Sequence, residues 1–120
     1  LRKIIWDTYF QGLKNVNSKN FKIINFDKKN MSAYHIFALV FKNLKMRDKF
    51  ILYMKKREIF CYFHYYPLHK SSFGKKFKRS KMVNTEKIYN GLVRLPFYPT
   101  IKISDIKKII DLVIKFNKIN

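Results

Sequence analysis

The uninterrupted apolar run Ile36-Phe37-Ala38-Leu39-Val40-Phe41 constrains this chain more than any other stretch. A strand with one wet face alternates apolar and polar residues. A run without that alternation, rich in Ile, Phe and Val from His35 onward, suits a strand covered on both faces. It is far shorter than the roughly 20 apolar residues needed to cross a bilayer, so the expectation is a packed layer and no membrane span. Elements on either side must supply the cover. The chain has 120 residues, a length that points to one domain, 1–120, with room for a real core.

Several stretches offer that cover. Ile4, Ile5, Thr8, Tyr9 and Leu13 recur at helical spacing, with Trp6 and Phe10 on the flank and a stop between Gly12 and Asn15. Phe21 to Phe26 is a short strand candidate, and Lys28 to Asn30 a polar break. Arg47 to Arg57 reads as a second amphipathic helix, with Phe50, Ile51, Met54 and the stem of Lys55 on one side. Ile59 to Phe63 is the next strand candidate. Strand, helix and strand in that order favour parallel or split pairing. Lys70 to Asn84 reads as an exposed, lysine-dense loop. Thr85-Glu86 opens a helix through Ile88, Tyr89, Leu92 and Val93 that stops at Leu95-Pro96. Ser104 is the N-cap candidate of a last helix, with Asp105 in its first turn and Ile106, Ile109, Ile110, Val113 and Phe116 on its apolar face. The sum is an α+β fold, a small sheet packed with helices.

Charge bears on partners. Lys and Arg number 27 against 7 Asp and Glu, a formal net charge of +20. Such an excess suits nucleic acid or an anionic membrane when it is clustered. Here the lysines are spread along the whole chain. Lys, Asn, Ile, Phe and Tyr are abundant, while alanine occurs only at Ala33 and Ala38. Compositional drift explains that pattern without any partner. The run Lys75-Lys76-Phe77-Lys78-Arg79 combines charge with rings, as single-strand binders do, and so does a solvated loop.

The stretch His64-Tyr65-Tyr66-Pro67-Leu68-His69 collects two of the three histidines with two tyrosines at the end of a strand candidate. Taken on its residues alone, packing and binding stand level for it. Other chemistry is thin. Cys61, His64 and His69 form C-x2-H-x4-H with no fourth ligand nearby, and in a strand positions 61 and 64 point to opposite faces. Cys61 sits among apolar residues, where a thiol is usually inert. Ser71 and Ser72 lack a nucleophile-elbow context. No phosphate-binding glycine pattern occurs, and the acidic residues read as exposed surface. A single cysteine excludes an internal disulfide and fits a reducing, cytoplasmic setting.

The order of motifs carries a resemblance. His64-Tyr65-Tyr66-Pro67-Leu68-His69, then Ser71, Gly74 and Phe77, then Thr85-Glu86, then Arg94-Leu95-Pro96-Phe97-Tyr98 and the approach to a last helix resemble the C-terminal end of the DegT/DnrJ/StrS family. Ser32-Ala33-Tyr34-His35-Ile36-Phe37 and Ile5-Trp6-Asp7-x-Tyr9 are similar to the strand and helix that open the same small domain. Within the family the pattern is most similar to the dTDP-4-amino-4,6-dideoxygalactose transaminase branch.

The resemblance implies a small antiparallel or mixed sheet packed with helices, like the C-terminal small domain of fold-type I aminotransferases. It implies a pyridoxal phosphate (PLP)-dependent transaminase moving an amino group from glutamate to a dTDP-4-keto-6-deoxyhexose, in nucleotide-sugar and polysaccharide biosynthesis. It implies a homodimer with the small domain closing one side of the cleft. By the same resemblance His64, Tyr65 and His69 lie near sugar nucleotide or cofactor, with Lys70, Lys75 and Lys76 adding attraction for a diphosphate. The Schiff-base lysine, the aspartate facing the pyridine nitrogen and the phosphate site belong to a large N-terminal domain that these residues do not match. The chain opens on Leu1, as a fragment, a split subunit or a degraded product would. Alone it is expected neither to hold PLP tightly nor to transaminate, and to expose apolar surface at Trp6, Tyr9 and Phe10. The competing functions are a basic nucleic-acid-binding module and an inactive relic.

Overall fold

The apolar run becomes the central strand of a three-stranded sheet. The structure is a computed structural model and describes residues 1–24, 33–77 and 80–120. Its elements are α1 (Arg2–Leu13), β1 (Phe21–Ile23), β2 (Ala38–Phe41), α2 (Leu44–Lys55), α3 (Val83–Gly91), β3 (Leu92–Arg94) and α4 (Ile103–Lys118), with single turns of 3-10 helix at Leu68–Lys70 and Gly74–Lys76. The sheet order is β1-β2-β3 and both pairings are antiparallel. Phe21 lies opposite Phe41, and Leu39 opposite Val93.

Phe37, Leu39 and Phe41 share one face by the period of two in a strand, and each is buried. Phe41 meets Phe50 of α2 at 4.8 Å and Phe116 of α4 at 6.0 Å, and Phe50 meets Phe116 at 5.1 Å. Ile106, Ile109, Ile110, Val113 and Phe116 form the buried face of α4, as their spacing requires. The helix begins at Ile103 with no side-chain cap, so Ser104 lies inside it and does not cap it.

The sheet is antiparallel, as the resemblance implies, and the parallel or split pairing of a strand from Ile59 to Phe63 is not found. Ile59 to Phe63 forms no strand; only Tyr62 bridges to Arg94, antiparallel. The place beside β2 is taken by β3, which the spacing of Leu92 and Val93 had assigned to a helix. That helix ends at Gly91, where an added Cβ would stand 2.1 Å from the Phe41 carbonyl oxygen. Only a glycine lets the end of α3 approach β2 so closely.

Trp6, Tyr9 and Phe10 are not the exposed apolar face. Trp6 and Tyr9 are buried and Phe10 is half-buried. Trp6 stacks on Phe10 at 5.0 Å, Tyr9 stacks on Phe37 at 5.0 Å, and the Tyr9 hydroxyl donates to the Pro96 carbonyl at 2.8 Å. The chain's own β2 approach and Pro96 cover that side of α1. Burial pushes the Tyr9 phenol far above its ordinary range. In α2 the buried basic residue is Arg47, and Lys55 is exposed. The Phe21 to Phe26 candidate is a strand as far as Ile23; its last two residues, Lys28 to Asn30 and Ser32 lie outside the described residues. Among the described residues no helix is long and apolar enough to cross a membrane.

Candidate functional site

The stretch from Tyr62 to His69 leaves the bridge with β3 and runs beside α3. Two backbone bonds fix its start: the Arg94 N–H donates to the Tyr62 carbonyl at 2.7 Å, and the Tyr62 N–H donates to the Arg94 carbonyl at 3.2 Å. The His64–Tyr65 peptide is cis. At its end Ser71 orders what the sequence reads as a loose loop. Its hydroxyl donates to the Leu68 carbonyl at 2.7 Å and accepts from the Gly74 N–H at 2.9 Å. A Cβ at Gly74 would stand 1.9 Å from the Leu68 carbonyl oxygen, so this turn also requires glycine.

Each histidine of the stretch has a side-chain partner from α3 or β3. His64 Nδ1 is 3.2 Å from Arg94 Nη1, and its ring lies beside Tyr65 at 4.9 Å. His69 Nε2 is 3.0 Å from Glu86 Oε1, with the His69 side chain only 8% exposed. The hydrogen bond from His69, reinforced by Lys70 at 3.5 Å, holds the Glu86 carboxyl below its ordinary range. Arg47 clamps the same corner from α2. Its guanidinium donates to the Tyr89 carbonyl at 3.0 Å and lies over the rings of Phe63 at 4.7 Å and Tyr89 at 5.6 Å.

Between these parts lies a hollow of about 420 Å³ lined by His64, Tyr65, Pro67, Asn84, Thr85, Ile88 and Tyr89. Tyr65 is 76% exposed at its rim. The imidazole and phenol can hydrogen-bond hydroxyl, carbonyl or phosphate oxygens. The lining holds neither a lysine to bond an aldehyde nor a carboxylate to pair a pyridine nitrogen. This corner therefore does not fit PLP as a self-contained cofactor site. A second hollow, about 580 Å³, includes Tyr62 and is rimmed by Arg57, Lys108, Glu58 and Asp105 among aromatic residues. Its balanced signs do not make a phosphate cradle.

The structure thus brings His64 and Tyr65 together at the hollow and leaves His69 outside its lining, against Glu86. Lys70 is engaged by Glu86, Lys76 lies over the Phe73 ring at 6.0 Å, and Lys75 is exposed on the 3-10 turn. Lys78 and Arg79 lie outside the described residues. Cys61 is buried, and that burial pushes its thiol up to about 12. Among the described residues no group of His, Cys, Asp and Glu is arranged to hold a metal. The roles of Glu86, Arg94 and Arg47 escape a reading of the sequence, which treats Glu86 as surface. Nothing local in sequence pairs them with residues 17 or 30 positions away.

Comparison with known proteins gives a consistent set of relatives. The profile of the DegT/DnrJ/EryC1/StrS aminotransferase family matches residues 1–114. An uncharacterized protein of Methanocaldococcus jannaschii is 29% identical over 117 residues, covering 92% of this chain and 29% of that protein. The fold is similar to that of Helicobacter pylori PseC, an aminotransferase involved in the biosynthesis of pseudoaminic acid, with a TM-score of 0.84, 18% identity, and coverage of 99% of this chain and 32% of that one. It is also similar to a Streptococcus pneumoniae protein solved in its PLP form, with a TM-score of 0.80, 20% identity, and coverage of 98% and 30%. The chain spans less than a third of the length of these relatives.

Proposed function

Because the chain belongs to the DegT/DnrJ/EryC1/StrS aminotransferase family, we propose that it forms one wall of the active-site cleft of a PLP-dependent sugar transaminase. In this reading the enzyme moves an amino group from glutamate to C4 of a dTDP-4-keto-6-deoxyhexose, as in the dTDP-4-amino-4,6-dideoxygalactose branch, for cytoplasmic synthesis of surface polysaccharide. His64 and Tyr65 meet the nucleotide sugar, and His69 holds the stretch that presents them. The observation that carries the reading is the hollow beside α3. It offers imidazole and phenolic donors at an open rim, with both histidines braced from α3 and β3.

The same hollow lacks the groups that would hold the cofactor, so the lysine, the pyridine-pairing aspartate and the phosphate site belong to a large domain. That domain is the principal partner, and the complete assembly is a homodimer. When bound there, PLP supplies the electron sink for amino-group transfer, while this chain binds and orients the sugar. By itself the chain is inactive.

The test is a chimera in which these 120 residues replace the matching third of the M. jannaschii relative. We expect a PLP-bearing protein that aminates the keto-sugar with glutamate. His64→Ala should raise KM for the nucleotide sugar up to about tenfold, the worth of one hydrogen bond. A folded, PLP-bearing chimera whose KM is indifferent to both His64→Ala and Tyr65→Ala would sink the reading.

A further inference from the structure

We propose that Arg94 is a positioning residue that fixes His64 as a hydrogen-bond donor through Nε2. The inference rests on the preceding reading only for what His64 then donates to. The placement of Arg94 is unusual in that it acts twice on one short segment. Its backbone N–H and carbonyl exchange hydrogen bonds with Tyr62, at 2.7 and 3.2 Å. Its guanidinium then reaches the His64 ring, Nη1 to Nδ1, at 3.2 Å. Side chain and main chain together set both the path of the segment and the turn of the ring.

The chemistry of this contact has one solution. A guanidinium has five N–H donors, no acceptor and no accessible neutral form. Nδ1 must therefore be the accepting nitrogen, and the proton of the neutral ring sits on Nε2. Among the described residues the ring's aromatic neighbours are Tyr62 at 6.4 Å and Tyr65 at 4.9 Å between centroids. The hollow that His64 lines contains Asn84, Thr85 and Tyr89 and no charged group. Among the described residues the hydrogen-bond partner of the ring is Arg94.

The second histidine of the stretch is set differently. His69 Nε2 faces the Glu86 carboxylate, an acceptor, at 3.0 Å, so Nε2 of His69 donates within the protein. A single sequence stretch thus holds one imidazole whose Nε2–H is left for a ligand and one whose Nε2–H is spent on the fold. A ligand oxygen, whether carbonyl, hydroxyl or phosphate, is the complementary partner of the first.

The experiment is ring nitrogen NMR of the 120-residue chain labelled in its histidines, at a pH where the rings are neutral. Wild type should show His64 as a single tautomer, protonated at Nε2. Arg94→Met should release it into a mixture of tautomers, and Arg94→Lys, which keeps a cationic donor, should restore the single form. A purely structural role for Arg94 would not produce rescue by lysine with a tautomer readout. A mixed or Nδ1-protonated His64 in wild type overturns the inference, as does an Arg94→Met protein whose tautomer is unchanged. If Arg94→Met does not fold, wild type and Arg94→Lys decide. Addition of thymidine diphosphate separates the two claims. In the chimera, where the large domain is present, a fixed tautomer that ignores the nucleotide leaves the positioning role standing and counts against the ligand reading.

Discussion

Arg47 carries a full charge with 5% of its surface exposed. It is tolerated because every direction is answered. Asp48 accepts from Nε and Nη2 at 2.9 Å, the Tyr89 carbonyl near the end of α3 accepts from Nη1, and two rings cover its plane. A cation at a helix C-terminus also meets the negative end of the helix dipole. Arg47→Ala should cost about 2–3 kcal/mol through lost packing and an unpaired carbonyl. Arg47→Lys should recover only part of it, since an ammonium lacks the planar fork. Urea denaturation checks both, and equal stability of all three proteins would contradict the account. Glu86 gives a pH dependence. Its carboxyl is held below the ordinary range when folded, so it adds stability above that range and loses it as pH falls through the folded value. The gap in urea midpoint between wild type and Glu86→Gln, present at about pH 6, should close toward about pH 3, below the usual carboxylate range near 4.3. Parallel midpoints across that interval would mean the His69–Glu86 contact is not made.

Among the elements, those governed by local spacing are legible in the sequence. The apolar face of α4 follows from helical periodicity, and β2 from its unbroken apolar run; the seam of α1 follows in part, since Ile5, Tyr9 and Leu13 are buried while Ile4 is exposed and Trp6, read as flank, is in the core. β3 is not legible, because Ile88, Tyr89, Leu92 and Val93 continue a helical pattern and the close approach at Gly91 is to a carbonyl in β2. Asn43, whose side chain caps α2 by accepting from the Met46 N–H at 2.9 Å, is a signal present in the sequence and easily passed over. The site divides the same way. His64, Tyr65 and His69 are visible as a group, whereas their braces are supplied by tertiary contact. The end of α2 offers a test at this scale. The Glu58 N–H donates to the Lys55 carbonyl and the Ile59 N–H to the Met54 carbonyl, with Glu58 at φ 61. That pair of bonds is a Schellman ending, which favours glycine at the left-handed position. An L residue there costs about 1–2 kcal/mol, offset by roughly 0.5–1 kcal/mol for glycine's freedom in the unfolded chain. Glu58→Gly should therefore raise stability by up to about 1 kcal/mol, read as a higher urea midpoint; a lower midpoint would contradict the assignment.

On the scale of the whole molecule, exposed apolar groups gather on one segment. Phe60, Tyr62, Phe63, Tyr65, Tyr66, Leu68, Phe73 and Phe77 are all exposed, crowded onto the segment that borders the hollow. Large apolar groups gathered on one segment mark a surface built to be covered. The chain also spans less than a third of its relatives, which agrees with a wall that meets its ligand only opposite a second domain. The most direct check is titration of the purified chain with PLP, followed by absorbance before and after glutamate. The account predicts weak, unsaturable uptake by scattered surface lysines and no spectral change when glutamate is added. A stoichiometric protein-bound pyridoxal band that glutamate converts would show that these 120 residues hold the cofactor themselves, and would contradict it.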